Sequence, residues 1–170
     1  MAFVVEDGTG KSNANSYLSV ADADTYQSNR SNATWAALST ANKEVALIKA
    51  TDWIEASFKV RWLGYRINNS MSLSWPRYDV VDYDGYVIAA TAVPAQIQDV
   101  TAIMGYEASQ AELFTNVAAD ARNLTHLSQS AGPVSQTKSY QGSSMTAKRF
   151  TQAEKIVAQF LLSAGRGYRA

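Results

Sequence analysis

The fold is decided first by residues 39–58, which read STANKEVALIKATDWIEASF. Ser39 or Thr40 is a good helix N-cap, because a hydroxyl oxygen can accept a hydrogen bond from a free backbone N–H of the first turn. The spacing of the apolar residues after this cap predicts an amphipathic helix with a broad apolar face, which needs a partner surface to bury it. Spacings of three and four place Ala41, Val45, Ile48 and Asp52 on one stripe and Leu47, Ala50, Ile54 and Phe58 on a second.

Two further helices are predicted in the first two thirds of the chain. Ser19 is a suitable N-cap with Asp22 in the capping-box position, which predicts a short helix from about Val20 to Ser28. Val93-Pro94 opens the longest helix, because proline is well tolerated at the first helical position. We expect that helix to last until about residues 113–120.

The segments between the helices carry turn signals. Pro76 cannot continue a helix, and it pushes Trp75 towards an extended backbone. The Asp84-Gly85 pair lies between β-branched and aromatic residues, which is typical of a β-hairpin or hairpin-like loop over residues 80–88. Residues 121–144 are polar and predict a long loop or an extended segment, with a strand over residues 134–140 as one option.

These elements predict a single, mainly α domain over residues 1–170: a small helical bundle with a short β-hairpin and extended N- and C-terminal arms. A chain of 170 residues is long enough for one domain with its own core. An amphipathic pattern over Thr151 to Ser163 predicts the last helix. The expected parts are an N-terminal arm (1–18), a helical core with the hairpin near 80–88 (19–120), a long loop or extended segment (121–148), a C-terminal helix (149–164) and a short docking tail (165–170).

Composition restricts the chemistry that the chain can perform. Fifteen Lys and Arg residues balance fifteen Asp and Glu residues, so a general nucleic-acid coat is disfavoured while local basic patches remain open. The absence of cysteine removes disulfides, thiolate catalysis and zinc-thiolate sites, and His126 is the only histidine. We expect no metal site and no cofactor. Neither a signal peptide nor an apolar run of about 20 residues is present, so we expect cytoplasmic synthesis and no membrane partner.

Two short motifs have both a functional and a plain interpretation. Gly8-Thr9-Gly10-Lys11-Ser12 resembles the end of a phosphate-binding P-loop, but Val5 stands where the motif needs its first glycine. Asp82-x-Asp84-Gly85 resembles the start of a calcium loop, but the ligand at the twelfth position is missing. A plain turn explains each motif better. No nucleophile elbow or zinc-protease motif is present, and we expect the protein not to be an enzyme.

Aromatic residues raise the possibility of base stacking, since aromatic platforms bind single strands. Arg61-Trp62 and Arg66 are the candidates for such a platform. The alternative, which we favour given the neutral net charge, is that Trp35 and Trp53 fill a small core and that other aromatic residues lie at a protein interface.

Several motifs together resemble a known family. They are Val4 to Gly10, Ala14-Asn15-Ser16-Tyr17-Leu18-Ser19-Val20, Lys43-Glu44, residues 50–54, Leu73-Ser74-Trp75-Pro76-Arg77, Asp84-Gly85-Tyr86 and Val93-Pro94. This arrangement resembles a family of tailed-phage proteins usually labelled head-tail connector or adaptor proteins, of which some are labelled DnaT-like single-stranded-DNA-binding proteins. The likeness covers residues 3–112 well and the C-terminal third in outline.

The resemblance implies a structural neck protein that completes the head and joins the DNA-filled head to the tail. Such a protein forms a ring of about twelve copies beneath the portal, with two different matching patches on each copy. Its partners would be the portal protein, other copies of itself, the next neck or tail-completion protein, and packaged DNA that passes through the ring. It would reside in the neck of the virion, and in the host cytoplasm during assembly.

The resemblance supplies no catalytic residue, so the candidate sites are contact surfaces and one structural motif, Trp75-Pro76-Arg77. We expect the arm 2–16 and the hairpin 80–88 to reach neighbouring copies, and the basic tail 165–170 to dock on the portal. The inter-subunit candidates are Phe3, Val5, Tyr83 and Tyr86, and the portal-docking candidates are Arg166, Tyr168 and Arg169.

A single-stranded-DNA-binding protein of phage replication is the alternative function. It predicts oligonucleotide binding with a clear salt dependence, because phosphate contacts release counterions. An enzyme or nucleotide-binding module is a third possibility, for which the incomplete P-loop is the only indication.

Overall fold

The computed structural model describes residues 2–114, 126–131, 134–139 and 149–162. The chain divides into two compact units, one with residues 1–113 and 150–170 and the other with residues 114–149. The first is a small, mainly α-helical bundle with a short hairpin, as the sequence predicts. No helix in the described ranges is long and apolar enough to cross a membrane.

The described residues of the first unit contain five helices and one 3₁₀ turn. They are α1 (Val20–Ser28), α2 (Ala33–Ala36), α3 (Thr40–Phe58), α4 (Ala95–Gln110), α5 (Thr151–Val157) and the 3₁₀ turn Ala158–Phe160. The α3 helix packs along α4, and α4 also packs against α5 and α1. The unit also holds a two-stranded antiparallel ribbon of β1 (Tyr65–Arg66) and β2 (Arg77–Tyr78).

Local signals at the N-termini set the starts of the first and third helices. The Ser19 hydroxyl accepts a hydrogen bond from the Asp22 backbone N–H at 3.1 Å and donates one to the Asp22 carboxylate at 2.6 Å. Ser39 accepts from the Asn42 backbone N–H at 3.3 Å. Both predicted caps are therefore confirmed, since each satisfies a free donor of the first turn.

The α3 helix buries the second of its two apolar stripes. Leu47, Ala50 and Ile54 have no exposed surface, and Phe58 is 3% exposed. On the first stripe Val45 is 53% exposed and Asp52 lies in solvent. Complete burial of a Leu, Ile or Phe side chain contributes about 1.5–3 kcal/mol, so this one stripe is a major source of stability.

All four tryptophans lie inside the first unit. Trp35 belongs to a cluster between α1, α3 and α4, and the other three belong to the main core. Trp53 packs edge-on against Phe58 and Phe150, and Trp75 packs edge-on against Trp62 and Phe160, with ring centroids 5.2–5.7 Å apart. The core interpretation of Trp35 and Trp53 is confirmed. Trp62, which the sequence offered as a stacking platform, is also a core residue.

The Trp62 and Trp75 indole N–H groups are buried without a hydrogen-bond acceptor in the part of the chain described. The two rings cross at 79°, so the edge of one faces the π cloud of the other.

The predicted C-terminal ends of two helices are wrong. The α4 helix ends at Gln110, earlier than residues 113–120, and Pro94 is its N-cap rather than its first helical residue. The α5 helix ends at Val157 and continues only as a 3₁₀ turn. After the 3₁₀ turn, Leu161 forms an antiparallel β-bridge with Trp62, and this bridge ends the helix. The hydrogen bond beside the bridge runs from the Leu63 N–H to the Phe160 carbonyl at 2.8 Å.

The hairpin predicted near residues 80–88 is confirmed. Val81 and Val87 form an antiparallel bridge, and the Ile88 N–H donates to the Val80 carbonyl at 2.9 Å. The Asp82 carboxylate closes the turn by accepting hydrogen bonds from the Asp84 and Tyr86 backbone N–H groups, at 3.0 and 2.9 Å. The calcium-loop alternative is therefore not needed to explain these residues.

The second unit contains another antiparallel pair, β3 (His126–Ala131) and β4 (Val134–Ser139), with His126 opposite Ser139 and Ala131 opposite Val134. The strand predicted over residues 134–140 is confirmed. Its partner strand is absent from the prediction, because the polar composition of residues 126–131 favours a loop over a strand.

A buried polar network ties three parts of the first unit together. The Tyr17 hydroxyl donates to the Glu55 carboxylate and accepts hydrogen bonds from the Ser74 and Trp75 backbone N–H groups at 3.0 and 3.2 Å. The Ser74 hydroxyl donates to the other Glu55 oxygen at 2.7 Å. Burial and the Glu55 charge raise the pKa of Tyr17 well above 10, so this hydroxyl keeps its proton at neutral pH.

We predict that Tyr17→Phe lowers the free energy of unfolding by about 1–3 kcal/mol, because the buried Trp75 N–H loses its acceptor. The difference in unfolding free energy between wild type and Tyr17→Phe should become smaller above pH 10. There Tyr17 ionises in the unfolded wild-type chain but stays protonated in the folded one, which lowers the stability of the wild type alone. Urea denaturation at pH 7 and above pH 10 measures both effects.

Tyr83→Phe is the matched control, since Tyr83 is 78% exposed and its substitution should change stability by less than about 0.5 kcal/mol. Equal effects of the two substitutions would contradict a structural role for the network.

Candidate nucleic-acid interface

The Trp75-Pro76-Arg77 motif is buried and structural. The Arg77 guanidinium donates to the Leu63 and Gly64 carbonyls, each at 2.6 Å, and to the Ser74 carbonyl at 3.1 Å. Burial lowers the pKa of Arg77 below its usual value. The Trp75–Pro76 peptide bond is cis. Since all three acceptors are backbone carbonyls, Arg77 joins the chain before β1 to the turn before β2 and is not available to an external phosphate.

The ribbon that Arg77 closes presents two tyrosines to solvent. In its register Tyr65 lies opposite Tyr78 and Arg66 opposite Arg77. Neighbouring residues of a strand point to opposite faces, so the two tyrosines share one face. Tyr65 is 56% and Tyr78 43% exposed, and their ring centroids are 5.5 Å apart with the planes 33° from parallel. The ribbon thus carries a nearly stacked, exposed aromatic pair.

Basic residues surround this pair in the sequence without any acidic ones. Residues 56–78 contain Lys59, Arg61, Arg66 and Arg77 and no Asp or Glu. Lys59, Arg61 and Arg66 are exposed, and the part of the chain described gives none of them a salt bridge. The Arg66 guanidinium donates to the Met71 carbonyl at 3.1 Å, which fixes its position beside the ribbon. The segment is therefore basic and free of carboxylates within a chain of zero net charge.

The next part of the chain has the opposite charge. Residues 79–121 contain seven Asp and Glu residues and no Lys, Arg or His. Three of the seven, Asp79, Asp82 and Asp84, lie in or just before the hairpin. The zero net charge thus conceals a segregation of charge along the chain, which a count over the whole sequence does not reveal.

The hairpin tip exposes three large side chains with apolar surface. Tyr83 is 78%, Tyr86 72% and Val87 76% exposed. Two of the residues expected at subunit contacts are therefore accessible. Of the other two, Val5 pairs with Ser16 and is half-buried, and Phe3 packs against the cluster around Trp35. The tail candidates Arg166, Tyr168 and Arg169 lie outside the described residues.

The P-loop-like segment is an anion nest that the chain itself fills. The Glu6 carboxylate is 2% exposed and accepts hydrogen bonds from the backbone N–H groups of Gly8, Gly10 and Lys11 at 2.8–2.9 Å. The Lys11 ammonium binds the Asp7 carboxylate at 2.8 Å, which holds the pKa of Asp7 well below its usual value. The donors that would hold a phosphate are occupied, so the plain-turn interpretation is confirmed.

A comparison with protein families gives one match, which extends over residues 1–170. The family is described as "Putative DnaT-like ssDNA binding protein". The chain belongs to this family. Its description agrees with the DnaT-like label of the resemblance and does not mention head-tail joining. Comparisons with curated proteins and with solved structures give no match.

The sequence identified part of this interface. Arg61 and Arg66 were candidates, whereas Tyr65 and Tyr78 were not, because their pairing depends on a ribbon that no local pattern predicts. The run of 23 residues without a carboxylate is the signal that points to the region.

We predict that Gly64→Ala destabilises the protein more than Gly85→Ala. Both glycines have positive φ, at 64° and 86°, so alanine strains the backbone at both by about 1–2 kcal/mol. At Gly64 the new Cβ would also lie 2.1 Å from the Tyr78 carbonyl oxygen, while at Gly85 it meets nothing within 4 Å. Thermal denaturation of both variants measures the difference, and equal melting temperatures would contradict this close packing of the ribbon.

Proposed function

We propose that the protein binds single-stranded DNA, with the exposed Tyr65–Tyr78 pair as a stacking platform. The observation that carries this proposal is the geometry of the pair, whose centroids are 5.5 Å apart on an exposed ribbon. Every base has a π face, so tyrosine platforms bind single strands with little sequence preference. The family description supports the same function.

The charges beside the platform suit a nucleic-acid backbone. Lys59 and Arg61 are exposed, so their cations can contact phosphates while bases stack on the tyrosines. Arg66 is also exposed, but it lies on the opposite face of the ribbon from the two tyrosines. Phosphate neutralisation releases counterions and makes the affinity depend on salt. Charged groups act within about 10 Å at 0.1 M salt, so a local basic surface suffices although the whole chain is neutral.

The platform predicts which tyrosines DNA binding requires. Tyr65→Ala combined with Tyr78→Ala should weaken binding of a labelled oligothymidylate at least about fivefold per stacked base lost. The matched control is Tyr83→Ala combined with Tyr86→Ala, which removes two tyrosines of similar exposure from the hairpin. Fluorescence anisotropy measures the affinities.

A second pair of substitutions tests the basic residues in the same assay. Lys59→Gln with Arg61→Gln should reduce the slope of log affinity against log salt by roughly 1.4, because single strands give about 0.7 per phosphate contact. Salt-independent binding, or equal losses in the two tyrosine double variants, would contradict the proposal.

We further propose, as a second function, that the protein is a head-tail connector in the neck of a tailed phage. The exposed apolar hairpin tip favours a protein contact, because large apolar side chains in solvent mark interaction surfaces. A ring needs two different complementary patches on each copy. The acidic hairpin and the basic ribbon supply patches of opposite charge. In this proposal the partners are the portal protein, the next neck protein and other copies.

The connector proposal predicts assembly that depends on the hairpin and attachment that depends on the tail. Native mass spectrometry of the protein mixed with a portal ring should show a complex with one copy per portal subunit. Tyr83→Ser with Tyr86→Ser should weaken ring formation, and deletion of residues 165–170 should abolish portal attachment while the fold persists.

The Tyr65→Ser with Tyr78→Ser variant is the control for this experiment, since it removes two exposed tyrosines from the ribbon instead. Unchanged portal attachment after the deletion would refute tail docking, and no complex in any buffer would refute the connector function.

A further inference from the structure

A pocket of about 150 Å³ lies away from the ribbon, where three helices and a turn meet. Tyr26 comes from α1, Arg30 and Asn32 from the turn after it, Ile103 and Tyr106 from α4, and Gln152 from α5. All of these residues belong to the first compact unit. Because separate elements supply its walls, the pocket is a product of the tertiary fold.

Buried contacts below the pocket hold its walls in place. The Gln27 side chain is 2% exposed, and its amide donates to the Ala102 carbonyl at 2.7 Å. Its carbonyl oxygen accepts from the Asn32 amide at 2.5 Å. These two bonds fix α1 and the following turn against α4, so the pocket is preorganised.

Two walls are flat and suited to stacking. The Arg30 guanidinium carbon lies 3.4 Å from the centre of the Tyr26 ring, and one of its N–H groups donates to the Tyr26 carbonyl at 3.1 Å. The guanidinium therefore lies against the Tyr26 ring, and guanidinium planes stack on bases. Tyr106 supplies the second surface, and its hydroxyl accepts a hydrogen bond from Thr34 at 3.0 Å.

Polar groups at the edge remain available to a ligand. The side-chain amide oxygen (Oδ1) of Asn32 and the Gln152 carboxamide form no hydrogen bond with any other group in the described part of the chain. A carboxamide both donates and accepts, as the edge of a nucleobase does. Planar walls with amides at the edge match a flat heterocycle that carries hydrogen-bonding groups.

The charges around the pocket select against a phosphate. Glu107 and Arg30 both line the pocket, so its lining carries one charge of each sign. Burial raises the pKa of Tyr26. The Asp99 carboxylate adds to this increase, and the Arg30 charge opposes it. With carboxylates on α4 close by, the site offers little net attraction to an anion, and a neutral ring fits it better.

We infer that this pocket binds a single unstacked nucleobase, between the Arg30 plane and Tyr106, with Asn32 and Gln152 at its edge. The inference rests on the proposed single-stranded-DNA binding for its biological meaning and adds a second contact point to it. The ribbon would bind bases by stacking alone, whereas the pocket would also contact their edges and so give a preference among bases.

Uncharged deoxynucleosides test the pocket without any phosphate contact. Deoxycytidine, deoxyadenosine and thymidine are titrated into isotope-labelled protein, with 2-deoxyribose as the probe that lacks a base. We expect amide shifts in residues 26–32 and 103–107 with at least one nucleoside and none with 2-deoxyribose. Absence of shifts with all three nucleosides, or equal shifts with 2-deoxyribose, overturns the inference.

Exposed side chains supply the variants, so the fold should persist in each. Arg30→Ala and Gln152→Ala should each raise the nucleoside Kd at least fivefold, and Arg30→Lys should fail to rescue because it keeps the charge but loses the plane. Gln110→Ala, at an exposed position near the end of α4, is the control and should bind as the wild type does. An unchanged Kd in both Arg30→Ala and Gln152→Ala overturns the inference.

The double variant Tyr65→Ala with Tyr78→Ala separates this inference from the proposed function. It should lose oligonucleotide affinity and keep nucleoside binding, since the ribbon contributes nothing to the pocket. Loss of nucleoside binding in that variant would place the base on the ribbon and overturn the pocket. A different outcome is that the wild-type protein binds nucleosides but fails to bind oligonucleotides. That outcome would support the pocket and refute the proposed DNA-binding function.

Discussion

The hydrogen bonds of the Tyr17 hydroxyl are the constraint on which the rest of the first unit depends. This hydroxyl joins the N-terminal segment to Glu55 of α3 and to the backbone before the cis Trp75–Pro76 bond. An unpaired hydroxyl or N–H at this depth would cost about 1–3 kcal/mol, so the three segments are held in one mutual arrangement. Burial of apolar side chains alone would not specify this arrangement of the three segments. Apolar contacts tolerate small shifts, whereas hydrogen bonds require a defined distance and angle.

The exposed ribbon follows from that arrangement. Because the turn at residues 74–76 is fixed, Arg77 of β2 can donate hydrogen bonds to the carbonyls of Leu63 and Gly64, which precede β1. These bonds hold the two strands of the ribbon side by side. Tyr65 and Tyr78 then meet on the outer face. The tryptophans occupy the interior, so tyrosines are the aromatic residues available for stacking on this surface. The Trp75-Pro76-Arg77 motif thus packs into the core through Trp75 and positions the candidate interface through Arg77. It contributes no binding group itself.

The sequence predicts the helices well because their signals are local. Ser19 and Ser39 each act on a backbone group three residues away, and the periodicity of residues 39–58 is complete within one element. The ribbon depends on contacts between residues about twelve positions apart and on Arg77 as a clamp, which no short window contains. The early end of α5 likewise depends on a bridge between Leu161 and the distant Trp62. For the candidate interface, the base-stacking hypothesis offered Arg61-Trp62 and Arg66, of which Trp62 is buried, whereas the exposed tyrosine pair is visible only in the fold.

Charge segregation bears on whether the two proposed functions exclude each other. The carboxylates of the hairpin would repel a DNA backbone, whereas the basic residues of 56–78 would attract it in the proposed DNA-binding function. The hairpin tip, apolar and acidic, suits a protein surface with basic groups. Because the two surfaces differ in both charge and apolar character, neither has to serve both partners. A ring that encloses a strand would use them together, with ribbons facing the nucleic acid and hairpins facing neighbouring copies, so evidence for one function would not count against the other.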